Sequence, residues 1–255
     1  MTLSATEIQE LAQRLDSAQT RCADTPSLSD THEADLDDAY AIQSALIELR
    51  QARGEQIVGV KLGFTSKAKM AQMGVSEVIV GRLTDAMRIA DGAEVDLGRF
   101  IHPKAEPEIA YRLSRDVALD DPATDIESCV DAVAPAIEII DSRYRNFRFT
   151  HPDVVADNTS AAGYVVGPWR SLESVTNRSV QLTVGSKQAL GSTAAILGDP
   201  VRALHALLDV ARRRRIPLRA GQTVLAGAAT AAIELTPGVT ECQIAGIGSA
   251  SMKGR

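Results

Sequence analysis

Glu106 and Glu108 stand two residues apart in the stretch His102-Pro103-Lys104-Ala105-Glu106-Pro107-Glu108-Ile109-Ala110. Side chains alternate faces in an extended segment, so the two carboxylates share one face, with Ala105, Pro107 and Ile109 on the other. Buried together they would repel and raise one pKa, and a hard divalent cation taking oxygen ligands is the simplest relief. Taken alone, a Glu-x-Glu pair reads as a solvated strand face. The run from Val133 to Asp141 changes that balance because its apolar interior carries a single acid, Glu138. Such an acid faces solvent on an edge strand or is buried with a partner, since an unpaired buried charge is very costly. A third place around the same cation would satisfy it. Pro107 fits this picture, as strand proline is confined to edges and bulges, which are frequent beside active sites.

Lys61 is the one charge in the apolar run over residues 57–63. A lysine there either snorkels from an edge or, if buried, needs an acid or a ligand anion. Residues 156–163 form a small polar cluster between apolar runs, containing Asp157, Asn158 and Ser160. This is a turn or a hydrogen-bonding loop for a polar ligand.

The elements that must position these groups divide near residue 54. A capping box at Ser4/Glu7 opens a helix over 5–21, and a second helix over 36–53 stops at Gly54. Beyond it the periodicity is that of strands and turns, with a short helix over 66–73 and a connection through 83–87 to the Asp91-Gly92 turn. A hairpin turns on Gly185-Ser186, a helix runs from Asp199-Pro200 to about 214, and strands follow over 222–230, 233–235 and 242–244. The expectation is an α+β chain with a helical part over 1–54 and a strand-rich catalytic domain over 55–255.

The 255 residues carry a net charge of −6 with scattered lysines and arginines, which argues against a nucleic-acid or membrane-surface footprint. The run Arg212 to Arg215 closes a helix, where positive charge complements the dipole. No apolar run is long enough for a transmembrane helix and no signal peptide opens the chain, so a cytoplasmic location is expected. Cys22, Cys129 and Cys242 are odd in number and far apart, as suits thiols in a reducing compartment. None of the four histidines has metal-type spacing, and phosphate-loop, dinucleotide and nucleophile-elbow patterns are missing.

Six stretches in order, over residues 38–43, 59–67, 102–108, 135–143, 156–160 and 246–249, resemble the fumarylacetoacetate-hydrolase superfamily, in its hydratase/decarboxylase branch of aromatic meta-cleavage pathways. The resemblance implies a mixed, strand-rich fumarylacetoacetase C-terminal-like fold with a helical N-terminal part. It further implies a Mg²⁺ or Mn²⁺ site with Glu106, Glu108 and Glu138 as ligands, and a 2-oxo dicarboxylic acid substrate whose C1 carboxylate and C2 oxygen chelate the metal. Lys61, Asp157 and Ser160 match catalytic positions, and Thr65, Ser66, Asn158 and Thr230 substrate-binding ones. Where the hydratase pattern carries an acid, this chain has Ile79, which discourages water and favours CO₂ loss from 2-oxohex-3-enedioate over hydration of 2-hydroxypenta-2,4-dienoate. In the other direction, Ser160-Ala161-Ala162-Gly163-Tyr164 is closer to the hydratase form. A homo-oligomer and a complex with a related hydratase are expected in the same way. An inactive scaffold is the non-enzymatic alternative, against which the retained acids and Lys61 speak.

Overall fold

The computed structural model describes residues 2–66, 70–71 and 74–255. Both N-terminal helices start on capping boxes, Ser4/Glu7 for α1 (Ala5–Thr20) and Asp35/Asp38 for α2 (Leu36–Ala52). Ile8, Leu11 and Leu15 of α1 and Ile42 and Leu46 of α2 recur at helical spacing. They pack into one core with Phe64, Ile79, Tyr144, Val154 and Val155 from the rest of the chain.

The strand-rich part forms two sheets. The larger has the path β2 (Ile79–Thr84), β1 (Ile57–Gly63), β11 (Thr223–Ala228), β5 (Lys104–Leu113), β6 (Val130–Ile140), β7 (Ala161–Val166), β3 (Arg88–Ile89). Two short strands pair beside this path, β8 (Arg170–Ser171) with β6 and β12 (Ile233–Glu234) with β5. The smaller sheet runs β10 (Lys187–Ser192), β9 (Ser179–Val184), β13 (Gly238–Ile244), β14 (Gly248–Gly254), β4 (Glu94–Val95). Leu182, Cys242 and Ala250 of the small sheet share a core with Ile109, Val133 and Ile137 of the large one. Two further helices complete the described fold, α3 (His151–Ala156) and α4 (Val201–Arg214).

Most of the sequence reading holds here, including both N-terminal helices, the 57–63 strand, the Gly185-Ser186 hairpin and the helix ending at Arg214. The short helix expected over 66–73 falls mostly outside the described residues. The connection through Leu83 and Thr84 is instead the end of β2, whose backbone pairs antiparallel with β1. Residues 154–156, read as an apolar run, belong to α3, which starts on a Thr150/Asp153 capping box. The arginine run forms no free patch: Arg213 pairs with Glu77, Arg214 with Asp37 and Arg215 with Asp120, while Arg212 donates to the carbonyls of Leu119 and Asp121.

Pro107 lies in a central strand, not on an edge. The pairing of β11 with β5 breaks register between Leu225 and Ala228, beside Pro107. The proline carbonyl still accepts from Ala229 N at 2.9 Å, so the bulge absorbs the missing N–H.

One buried side chain ties the helical part to the sheet. Gln43 Nε2 on α2 donates to the carbonyls of Val80 on β2 (3.1 Å) and Val155 on α3 (2.8 Å). Gln43→Leu removes both donors from a site that water does not reach. It should lower the unfolding free energy by roughly 2 kcal/mol, read as a shift in the urea midpoint at constant m.

Candidate active site

The longest strand pair, β5 with β6, builds the site. Its register sets Glu106 directly opposite Glu138, with Glu108 opposite Ala136. The carboxylates of Glu106, Glu108 and Glu138 converge, with one oxygen of each within 4.8 Å of the others. Glu108 and Glu138 have no solvent exposure. Alternation along β5 therefore places the Glu-x-Glu pair on one face as expected, and that face turns inward.

Lys61 projects from β1 to the same place. It is buried, and its Nζ lies 3.0 Å from Glu138 Oε1 and donates to the carbonyl of Thr159 at 3.1 Å. Burial alone would lower the pKa of this ammonium, but the charges of Glu138, Glu106 and Glu108 outweigh it and hold the value above that of a free lysine. Burial pushes the Glu108 carboxyl well above its ordinary range, Glu138 adds to the push, and Lys61 opposes it. Glu108 Oε2 accepts from Gly227 N at 2.8 Å, whereas Glu108 Oε1 and Glu138 Oε2 have no hydrogen-bond partner among the described residues. Gly227 has φ +114°, and a Cβ there would lie 2.0 Å from Thr65 Oγ1, so only glycine lets this backbone turn its N–H to the acid.

These features fit a hard divalent cation. Three carboxylates against one ammonium leave an excess of two negative charges, the donors are all oxygens, and two buried carboxylate oxygens lack partners.

Above the acids opens a cavity of about 750 Å³. Lys61, Glu106, Thr65, Ser66, Ser160 and Thr230, all singled out in the sequence, line it. Its apolar wall includes Phe64, Ile79, Ile140, Phe147, Phe149 and Val154. Ile79 thus faces the space where an acid was missing from the sequence pattern.

Asp157 and Asn158 depart from that reading, because neither side chain lines the cavity. Asp157 is fully buried against Arg143, whose guanidinium contacts both its carboxylate and its backbone carbonyl, while Arg143 N donates to Oδ2 at 3.1 Å. Burial pushes the Asp157 carboxyl up to about 6, against the pull of Arg143. Asn158 clamps the backbone of Arg82, accepting from its N at 2.7 Å and donating to its carbonyl at 2.9 Å. Asn158, Thr159 and Ser160 all hold left-handed backbone, with φ of 48°, 53° and 60°. That turn aims the Thr159 carbonyl at Lys61 and brings the Ser160 side chain to the cavity. These two polar residues fix the loop's conformation.

Two features were missed. Lys104 lies two residues before Glu106 on the same face of β5 and lines the cavity, a relation visible in the alternation itself. Phe147 and Phe149 reach the site from a loop, for which sequence periodicity offers no signal.

The paired sheets with an acid cluster on the central strands belong to the fumarylacetoacetate-hydrolase fold, shared at TM-score 0.58 with a fumarylpyruvate hydrolase structure from Pseudomonas aeruginosa, 13% identical over 76% of this chain and 88% of that one. No protein-family model matches the chain. A 4-oxalocrotonate decarboxylase from a Pseudomonas species is 47% identical over 250 residues, covering 96% of this chain and 97% of the relative. A 2-keto-4-pentenoate hydratase from Paraburkholderia xenovorans is 36% identical over 252 residues, 94% of this chain and 92% of the relative. The structure of 4-oxalocrotonate decarboxylase from Pseudomonas putida G7, complexed with magnesium and adipate, superposes at TM-score 0.93 with 34% identity over 100% of this chain and 99% of that one. The chain belongs to the family of 4-oxalocrotonate decarboxylases and 2-keto-4-pentenoate hydratases.

The Arg143–Asp157 pair supplies a test of the loop. Asp157→Asn at pH 7.5 strands a buried guanidinium and should cost about 3–5 kcal/mol of stability, measured by urea denaturation. Adding Arg143→Met should recover part of that loss, because no uncompensated charge then remains.

Proposed function

We propose that this protein is a lyase that releases CO₂ from 2-oxohex-3-enedioate and leaves 2-hydroxypenta-2,4-dienoate. The observation that carries the reading is the Glu106/Glu108/Glu138 cluster with Lys61, its Glu108 and Glu138 buried, under a cavity whose wall presents Ile79 in place of an acid. The three glutamates would hold Mg²⁺ or Mn²⁺, in keeping with the magnesium complex of the Pseudomonas putida relative. A bound divalent ion supplies Lewis acidity toward a 2-oxo acid.

The substrate's C5–C6 bond breaks, C6 leaves as CO₂, and the electron pair moves along the conjugated chain to the C2 oxygen, which takes one proton from solvent to give the 2-hydroxy dienoate. Lys61 stays protonated among the acids and offers a charge and a donor to that oxygen as it gains electrons. Thr65, Ser66 and Thr230 supply hydroxyls for the polar end of the substrate, and Ser160 lies beside Lys61's carbonyl partner, Thr159. Asp157 and Asn158 serve this chemistry by holding the 157–160 turn.

Hydration of 2-hydroxypenta-2,4-dienoate is the runner-up, favoured by the hydratase relatives at 36% identity. It needs an activated water at the far end of the chain, and Ile79, 2% exposed, offers that water neither a base nor a hydrogen bond. We read residues 55–255 as the catalytic unit and residues 1–54 as the helical part that covers its flank. A homo-oligomer, association with a hydratase that consumes the dienoate, and a cytoplasmic location belong to the same reading. Three free cysteines support that location, and no helix among the described residues is long and apolar enough to cross a membrane.

With Mg²⁺ or Mn²⁺ present, 2-oxohex-3-enedioate should yield CO₂ and accumulate the dienoate. Formation of 4-hydroxy-2-oxopentanoate from supplied dienoate, without CO₂ release from the diacid, would reverse the assignment. Lys61→Ala should lower turnover by about 10²–10⁴-fold with the fold intact by circular dichroism. Glu106→Gln should weaken metal affinity and activity together.

A further inference from the structure

Two cations line the cavity among its described residues, Lys61 and Lys104. Lys61 is committed to Glu138 and to the Thr159 carbonyl. Lys104 is placed differently. It is half-buried, and its Nζ sits 4.1 Å from the centroid of the Phe147 ring. Phe147 is itself held in left-handed backbone, φ 54°, which is unusual for so bulky a residue. The same ring meets His102 with centroids 4.6 Å apart. His102 is fixed in turn by its Nε2 contact with the Ser142 carbonyl (2.6 Å) and by its backbone N–H to Asp141 Oδ1 (2.7 Å). The ammonium is therefore positioned by an aromatic face, and among the described residues no hydrogen bond takes up its donors.

The spacing gives this cation a role. Lys104 precedes Glu106 by two residues on the same face of β5, about 6–7 Å along the strand. That separation matches the reach of a short extended diacid lying over the strand, one end at the acid cluster and the other at Lys104. We propose that Lys104 recognises the distal carboxylate of the substrate and so selects 2-oxo dicarboxylates over 2-oxo monocarboxylates. This rests on the decarboxylase reading and deepens it.

The strength of the contact matters for the chemistry. As the distal carboxylate leaves, its charge moves to the C2 oxygen at the other end, so attraction to Lys104 is strongest before the bond breaks. Binding energy confined to the ground state lowers KM without raising kcat. A part-solvated ammonium over an aromatic face meets this requirement better than a dry ion pair, because it attracts the diacid yet costs little to relinquish.

Binding of adipate and hexanoate, which have the same length and differ by one carboxylate, tests the proposal by calorimetry in the presence of Mg²⁺. The wild-type protein should prefer adipate. Lys104→Met should weaken adipate about tenfold and leave hexanoate unchanged. Lys104→Arg should keep the preference. With 2-oxohex-3-enedioate, Lys104→Met should raise KM with no fall in kcat. An equal loss for both acids, or an undiminished adipate preference in Lys104→Met, overturns the proposal. Loss of that preference in a protein that releases no CO₂ would support Lys104 as the carboxylate reader and reject the decarboxylase reading alone.

Discussion

Glu106 and Glu138 face each other across two hydrogen-bonded strands in the middle of a sheet. Like charges directly opposite on neighbouring strands are destabilising even at a surface, and here Glu138 and the adjacent Glu108 are wholly buried. The chain could relieve this repulsion at once by replacing the acids with apolar residues, at a gain in stability. Retaining them makes sense only if something positive shares the space. One positive charge is built in, since Lys61 reaches Glu138. Among the described residues, Glu108 Oε1 and Glu138 Oε2 still have no hydrogen-bond partner, which leaves room for a further positive charge.

The surrounding architecture follows from holding Lys61 against those acids. A long flexible side chain crossing from β1 to the region of β6 needs more than one anchor, and the Thr159 carbonyl is the second. That carbonyl points inward only because three successive non-glycine residues adopt left-handed backbone, each at a cost of about 1–3 kcal/mol that the surroundings must offset. Arg143 grips the start of this turn through Asp157, and Asn158 grips β2 through Arg82. Gly81 on β2 lets the strands and turn meet, as a Cβ there would lie 2.3 Å from Thr159 Oγ1. Polar residues that never touch the cavity thus decide where its lysine points.

This separation explains what the sequence could and could not reveal. Glu138 and Lys61 were legible because each interrupts an apolar run, and Glu106 and Glu108 because strand periodicity puts them on one face. The two N-terminal helices were legible for a similar local reason, whereas the short capped helix α3 was read as an apolar run. Asp157 and Asn158 were legible as a polar cluster, but whether such residues meet a ligand or their own backbone depends on contacts with Arg143 and Arg82, respectively 14 and 76 positions away. β2 was missed because Leu83 and Thr84 sit next to turn-forming residues, and its pairing to β1 outweighs that local signal. Pro107 was read as marking an edge or a bulge, and the bulge lies in the sheet interior where β11 meets β5.

The two ends of the cavity differ in kind. At one end, buried charges with fixed partners define a stiff, strongly polar floor whose field is little screened. At the other, Lys104 and aromatic rings form a softer, part-solvated rim. A symmetrical pair of strong anion sites would bind a diacid in either direction and hold both carboxylates equally well. The observed asymmetry gives the 2-oxo acid end of a substrate the floor, where negative charge develops, and leaves the departing carboxylate at the end with the weaker hold. The apolar wall residues Ile79, Ile140 and Val154 offer no hydrogen bond to water, so the wall gives a charged group no place to settle away from the two polar ends.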